Sequence, residues 1–375
     1  MTDRPLMHEA RVFTVPMGAP EDVSAVARLF DEGIVDPAHV AALIAQTEGD
    51  GHARGYAATC LQLLFAERLG LSRAQVFDRI PMLMIGGTAG LMSPHITLFV
   101  KVPDCPSVPG GAKRLAIGVT STRALLPEEY GTPVQVALVA EAVRAGMAQA
   151  GIAAAEDVAC VEMKCPQMTA ARAAEAAGRG AATVHPSAAA ASSMSRGASA
   201  LGCAVALGEV AADAITQDAI AGRPDLFTQR GSASSGNEQI AVRVVVIGNV
   251  AGAPGDHVAA RGVMTHQLDL DGARAAFAAA GLRLSDGIVV AEDRPRIAAA
   301  FVNAGADSVG DWQGRRHTML SDLLAGFSGH VAKAVAHAAI AGIAQETLVL
   351  GNAGAEHQGA PGSNLVCVIA RGAAP

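Results

Sequence analysis

The sequence predicts an α/β protein built from three structurally similar repeat units around a pseudo-three-fold axis, with a central active site. Three observations carry this. A strand–helix–strand pattern recurs three times, apolar strands alternate with Ala/Leu-rich helices in each recurrence, and Pro/Gly-rich junctions divide the chain near its thirds.

In the first recurrence a strand-like segment, residues 39–45, ends at Gln46. Arg54 then opens a helical run over 55–69, and residues 82–85 lead into Gly86-Gly87-Thr88 and a further strand at 96–100. The second repeats the order: 157–163 ends at Lys164, Arg196 opens a helix over 197–211, and Ser234-Ser235-Gly236 precedes the β-branched run 240–247. In the third, 297–302 ends at Asn303, Arg316 precedes a helical stretch through 341, and 348–351 runs into Asn352-Ala353-Gly354 and a strand at 365–370. The anchors Gln46, Lys164 and Asn303 are 118 and 139 residues apart, each close to a third of the chain. Prolines 103, 106 and 109 mark residues 102–111 as one linker, and Gly-Ala-Pro-Gly marks 251–256 as the other. The expected units are therefore 1–104, 112–250 and 257–375. The Ala/Ser stretch 187–193 reads as a flexible or helix-initiating segment near the site.

Composition sets the limits on function. The 375 residues are 51% hydrophobic, enough for two or three cored units. A net charge of -7 with 3% aromatics offers no surface for phosphates or stacked bases, so nucleic acid is not an expected partner. Residues 1–20 carry Asp3, Arg4, Glu9 and Arg11 and show no signal sequence. Polar residues interrupt each apolar run before about 18 positions, which leaves no membrane span and points to the cytoplasm. The six cysteines lack metal-ligand spacing and read as buried free thiols.

Three units around an axis bring their strand ends and small-residue turns together. Turns such as those at Gly86, Ser235 and Ala353 let backbone N–H groups approach a ligand oxygen, and Arg54, Arg196 and Arg316 would add fixed cationic donors. Only the middle unit combines a lysine with a serine. A serine hydroxyl needs a base, and a lysine whose pKa is depressed by burial or a nearby cation can serve, which makes Lys164 and Ser234 the catalytic candidates. His317 and His357 read as packing or loop support. Glu48 and Asp50 read as turn residues bonding backbone N–H groups.

These residues resemble a known family. Thr47-Glu48-Gly49-Asp50-Gly51 with Arg54-Gly55-Tyr56-Ala57, Gly86-Gly87-Thr88 with Ser93-Pro94-His95, and Lys164-Cys165-Pro166 are similar to segments of cyanuric acid hydrolases and barbiturases. So are the runs from Ser195-Arg196-Gly197 to Gly202, from Gly314-Arg315-Arg316-His317 to Leu320, and Gly354-Ala355-Glu356-His357-Gln358-Gly359. The resemblance implies a three-domain fold, a homotetramer, and metal-independent opening of a cyclic imide by a serine nucleophile with a lysine base, without a cofactor. It also implies one Lys, Arg and Ser set per unit. Here the middle set is Lys164, Arg196 and Ser234.

The outer sets depart from that pattern: Gln46 and Ile85 stand in the first unit, Asn303 and Asn352 in the third. Three identical clamps suit a three-fold ring, whereas Ile85 cannot hydrogen-bond and the amides both donate and accept. An asymmetric cyclic amide or imide therefore fits better. The position matching the family's acidic ligand for a structural divalent ion is Gly305, so no metal is expected although the loop 354–362 persists. The alternatives are an authentic barbiturase or cyanuric acid hydrolase, and a non-catalytic binding protein for a small heterocycle.

Overall fold

The computed structural model describes residues 5–49, 51–87, 89–305, 310–319 and 328–372; Asp50, Thr88 and Leu320 of the motifs above lie outside these. Each third of the chain repeats a common strand–helix–strand–helix–strand–strand succession, with extra short elements added to it. In unit A, β1 (Leu6–Pro16) leads through α1 (Ser24–Asp31) to β2 (Val40–Gln46). From there α2 (Gly51–Leu69) and α3 (Arg73–Arg79) cross to β3 (Met82–Ile85), and β4 (His95–Pro106) turns back. Unit B follows with β5 (Arg114–Ser121), α4 (Pro133–Ala150), β6 (Val158–Pro166), α5 (Ala170–Gly178), α6 (Ala188–Ala206), α7 (Gln217–Gly222), β7 (Gly231–Gly236) and β8 (Arg243–Val250). Unit C runs β9 (His257–Met264), α8 (Leu270–Ala279), the short β10 (Leu284–Ser285) and β11 (Ile288–Val289), then β12 (Ile297–Ala304). The hairpin β13 (Asp311–Trp312) and β14 (Arg315–Arg316), α9 (Ser328–Ala344), β15 (Val349–Ala353) and β16 (Asn364–Arg371) complete it.

The repeat extends to topology and register. The main sheets have orders β1-β4-β2-β3, β5-β8-β6-β7 and β9-β16-β12-β15, so each ends in an edge strand parallel to its neighbour. A 3₁₀ turn, at Pro37–His39, Ala155–Asp157 and Arg294–Arg296, delivers the chain into β2, β6 and β12. A register shift follows at the same place in all three, between Val40 and Ala42, Val158 and Cys160, and Ile297 and Ala299.

Strand side chains alternate between faces, and here each sheet has two dry faces. Outward residues pack on the unit's own helices: Leu43, Met84 and Leu98 against Leu61, Phe65 and Val76 in unit A, with matching clusters in the other two. Inward residues from all three sheets meet in one cluster that includes Ile44, Leu83, Phe99, Ile117, Val245, Phe301, Leu350 and Ile369. Phe99 and Phe301 stack across the A–C seam with ring centroids 6.2 Å apart. This inner core joins the units, and emptying a Phe position in it costs about 3–5 kcal/mol.

Three local expectations need correction. Ser187 accepts a hydrogen bond from the Ala190 N–H and caps α6, so of the two readings of the Ala/Ser stretch the helix-initiating one holds, but Arg196 lies in mid-helix rather than opening one. That helix also ends at Ala206, short of the expected 211. The linker expected from residue 102 begins as strand, since β4 continues to Pro106 opposite β1. Its register slips between Met7 and Glu9 across from Pro103 and Asp104, with Asp104 at φ 57°, and an irregularity of this kind tolerates a proline. All six cysteines are free, but Cys60 and Cys105 are only half-buried. Among the described residues no helix is long and apolar enough to cross a membrane.

Candidate active site

The parallel strand pairs bring the candidate residues together. Gln46 is in register with Ile85, Lys164 with Ser234, and Asn303 with Asn352. Register partners on adjacent strands lie about 5 Å apart and share a face. Alternation from Ile44, Cys160 and Phe301 of the inner core puts all six on the axial side. The site is thus the layer above the inner core, where three strand pairs end.

Each sheet's open edge is closed by a side chain from the next unit. Ile85 O accepts the Thr47 N–H, which turns the neighbouring Met84 carbonyl outward, and Lys164 Nζ donates to it at 2.7 Å. Gln46 Oε1 accepts from Gly351 N at 2.9 Å, and Asn352 Nδ2 donates to Ala233 O at 3.0 Å. Met84, Ala233 and Gly351 each stand one residue before the serine-equivalent position. Unit B therefore closes A, A closes C, and C closes B, which covers strand edges that would otherwise be unpaired.

Lys164 is buried, and that burial lowers its amine to about 8. Glu238 opposes the shift, while Arg54 and Lys333 reinforce it. Ser234 is half-buried in the second half of β7. Beside it Arg196 donates from Nη1 to Ser235 Oγ at 3.2 Å while its guanidinium rests on Glu356, with Nε 3.1 Å from Oε1. Burial alone would raise the Glu356 carboxyl, but Arg196 and the Ser193 hydroxyl outweigh it and hold it below the ordinary range. One layer below Lys164, burial pushes Glu162 up to about 7 against a hydrogen bond from Ser232.

The third cation differs from expectation. Arg316 lies exposed on the β13–β14 hairpin, and among the described residues no hydrogen bond ties it to the cluster. Among the described residues that hairpin pairs only with itself, and Trp312 lies against His266. The position is filled by Lys333 on α9, the helix between the parallel strands of unit C, as α2 and α6 carry Arg54 and Arg196. Lys333 is buried, donates to Gly86 O at 2.8 Å, and is lowered to about 8 by burial and then by Arg54. Arg54 lies against the same glycine, where an added Cβ would fall 3.6 Å from Nη1. A lone lysine one turn after His330 in an Ala-rich helix was the available sequence signal.

The remaining candidates divide. Ile85 is an apolar wall packed into the inner core. Gln46 keeps Nε2 buried without a hydrogen-bond partner among the described residues. Asn303 and Asn352 are bonded to protein: Asn303 Nδ2 reaches Gly354 O at 3.0 Å and Gln358 O at 3.4 Å, and Asn352 Nδ2 also reaches Asn303 Oδ1 at 3.2 Å. The turn amides are partly spent, since Gly87 N bonds Gly49 O and Gly354 N bonds Ala304 O. His357 supports its loop, its ring nitrogens lying 2.6 Å from Leu226 O and 3.0 Å from Ile220 O. His317 receives the Met319 N–H at Nδ1.

The residues do not fit the structural cation implied by resemblance. A Cβ on Gly305 would lie 2.5 Å from Ser363 O, and the Asn303 amide, a hydrogen donor, occupies the loop carbonyls a cation would need.

The chain as a whole matches known proteins. The family described as amidohydrolase ring-opening protein matches residues 11–371. A cyclic amide hydrolase of Azorhizobium caulinodans is 40% identical over 364 residues, covering 96% of this chain and 99% of that one. A cyanuric acid amidohydrolase of Enterobacter cloacae is 39% identical over 97% of this chain and 99% of its own. Among solved structures, a cyanuric acid hydrolase superposes with a TM-score of 0.91 at 36% identity, covering 97% of this chain and all (100%) of the other.

Proposed function

The chain belongs to the ring-opening amidohydrolase family, and from that premise we propose that it hydrolyses a small, asymmetric cyclic amide or imide using Ser234 as nucleophile and Lys164 as base. The observation that carries the reading is the register pairing of Lys164 with Ser234 on the axial face, with the lysine amine buried and lowered to about 8. A neutral amine fraction is then present near neutral pH.

In this mechanism the neutral Lys164 amine removes the Ser234 proton as Oγ bonds to a ring carbonyl carbon. The ring C–N bond breaks, the nitrogen takes the proton back from Lys164, and an acyl-serine ester remains. Water then attacks the ester, Lys164 passes the water proton to Ser234 Oγ, and a ring-opened acid departs. Arg54 and Lys333 supply cationic donors on the Gly86 side, and Arg196 flanks the nucleophile through Ser235. Ile85 presents bare hydrocarbon, so a ring with a carbon or apolar substituent on that side binds without stranding a polar atom.

A turnover screen of cyclic amides and imides, including cyanurate and barbiturate, tests the proposal, with Ser234→Ala as control. An unsymmetrical ring is expected as the best substrate, and the variant is expected to bind it without opening it. Cyanurate as the best substrate would overturn the asymmetric-pocket reading; full turnover by the variant would overturn the mechanism. A cytoplasmic homotetramer belongs to the same proposal, supported for compartment by six free thiols. Light scattering that shows a monomer would remove the assembly.

A further inference from the structure

Four consecutive residues of unit C, Glu356 to Gly359, are fastened to the segment of unit B that carries Ser234. Thr228 N donates to His357 O and Gly359 N to Thr228 O, both at 2.9 Å. The His357 ring grips the carbonyls of Leu226 and Ile220. Glu356 holds the Arg196 guanidinium that reaches Ser235. Most directly, both backbone groups of Ala233, the residue before Ser234, are taken by unit C side chains: its N–H by Gln358 Oε1 at 2.7 Å and its carbonyl by Asn352 Nδ2 at 3.0 Å. Asn303 in turn bonds the carbonyls of Gly354 and Gln358, so the Asn303–Asn352 pair braces the same loop.

We propose that Asn352, Glu356 and Gln358 of the third unit are positioning residues for the nucleophile of the second, acting through Ala233 and Arg196 rather than on the substrate. This rests on Ser234 being the nucleophile. β7 is an edge strand, and an edge strand has no neighbour on one side to fix its backbone. Here two amide side chains replace that neighbour at the residue preceding the attacking oxygen. The arrangement gives the altered third-unit residues a role: Asn352 stands where a serine is expected by resemblance, and its amide donates to Ala233 O at the longer reach that a hydroxyl lacks.

The test uses the full-length protein and two readouts. One is the labelling rate of Ser234 by a fluorophosphonate, followed by peptide mass; the other is kcat and KM on the best cyclic amide. Gln358→Met removes the acceptor for Ala233 N–H, and Asn352→Asp turns an oxygen toward Ala233 O. Both are expected to slow labelling and kcat about 10- to 100-fold while KM stays within about twofold. Gln358→Glu, which keeps the acceptor, is expected to recover most of the rate. Glu356→Gln is expected to give a smaller loss with the same split. A KM rise with kcat kept would make these residues substrate contacts and overturn the proposal. Undiminished labelling in every variant would overturn it alone. A wild-type Ser234 that takes no label would overturn the nucleophile assignment and this proposal with it.

Discussion

The Lys164–Ser234 pair and the Asn303–Asn352 pair occupy the same register position on the same kind of parallel strand pair, yet they have opposite destinies. The first keeps a buried amine of lowered pKa beside a half-buried hydroxyl. The second consists of two amides bonded to each other and to neighbouring carbonyls. Gln46 and Ile85 make a third variant, half bonded to unit C and half apolar wall. On the proposed mechanism, then, identical backbone geometry does not by itself make a catalytic pair. What distinguishes the middle one is a titratable amine whose proton affinity is lowered by burial and by cations from the other two units.

The sharpest way to break that contrast is Lys164→Met, which leaves the backbone and Ser234 in place. A loss of about 10²–10⁴-fold in kcat is expected, measured by product formation, because the proposed base is removed. A variant that kept its rate would make the middle pair no different from the outer ones. The pH profile asks the same question in the wild type. In the proposed mechanism Lys164 acts when neutral and Lys333 as a cation, both with pKa lowered to about 8, so kcat/KM should climb with pH up to about 8 and decline beyond it. A profile that already falls between about pH 6 and 8 would contradict the neutral-lysine base.

Phe301→Ala probes whether the units stand alone. Because Phe301 belongs to the core shared by all three sheets, it should cost about 3–5 kcal/mol and still give one unfolding transition in denaturant. Separate transitions would show independent units. Lys333→Met tests the cation supplied by unit C: KM should rise about 10- to 150-fold as a charged hydrogen bond of roughly 1.5–3 kcal/mol is lost. Removing a positive neighbour also raises the Lys164 pKa, so the rise in rate should move to higher pH. The smallest effect is at Glu162, whose folded pKa is raised to about 7. Its protonated form is favoured in the fold, so that contribution is complete below about pH 4.3, the unfolded value. It is lost as pH rises through 7. Glu162→Gln should flatten this dependence in melting temperatures taken across pH 5–8, with the gain at the alkaline end.

Much of this was legible in the sequence because it was written in strand periodicity and repetition. The three units, the anchors Gln46, Lys164 and Asn303, and their partners Ile85, Ser234 and Asn352 follow from apolar runs ending in polar residues, and strand pairing does place them together. Helix limits were less legible, since alanine and serine at 187–193 left a flexible segment and a helix start both open until the Ser187 cap decides between them. The third cation was misplaced for a related reason. Arg316 matched by residue type and order, whereas Lys333 matched by its place on the helix between parallel strands, which only tertiary structure reveals. The bonding of Asn303, Asn352 and Gln358 across units was also beyond sequence reasoning, because it depends on which edge strand faces which loop.

The most direct test of the central claim is a rapid-quench experiment on the wild-type enzyme with its best cyclic amide, followed by peptide mapping of any covalent intermediate. A substrate-derived ester on Ser234, forming and decaying at rates compatible with kcat, is the expected result. Rapid turnover with an adduct on another residue, or undiminished turnover by Ser234→Ala, would contradict it.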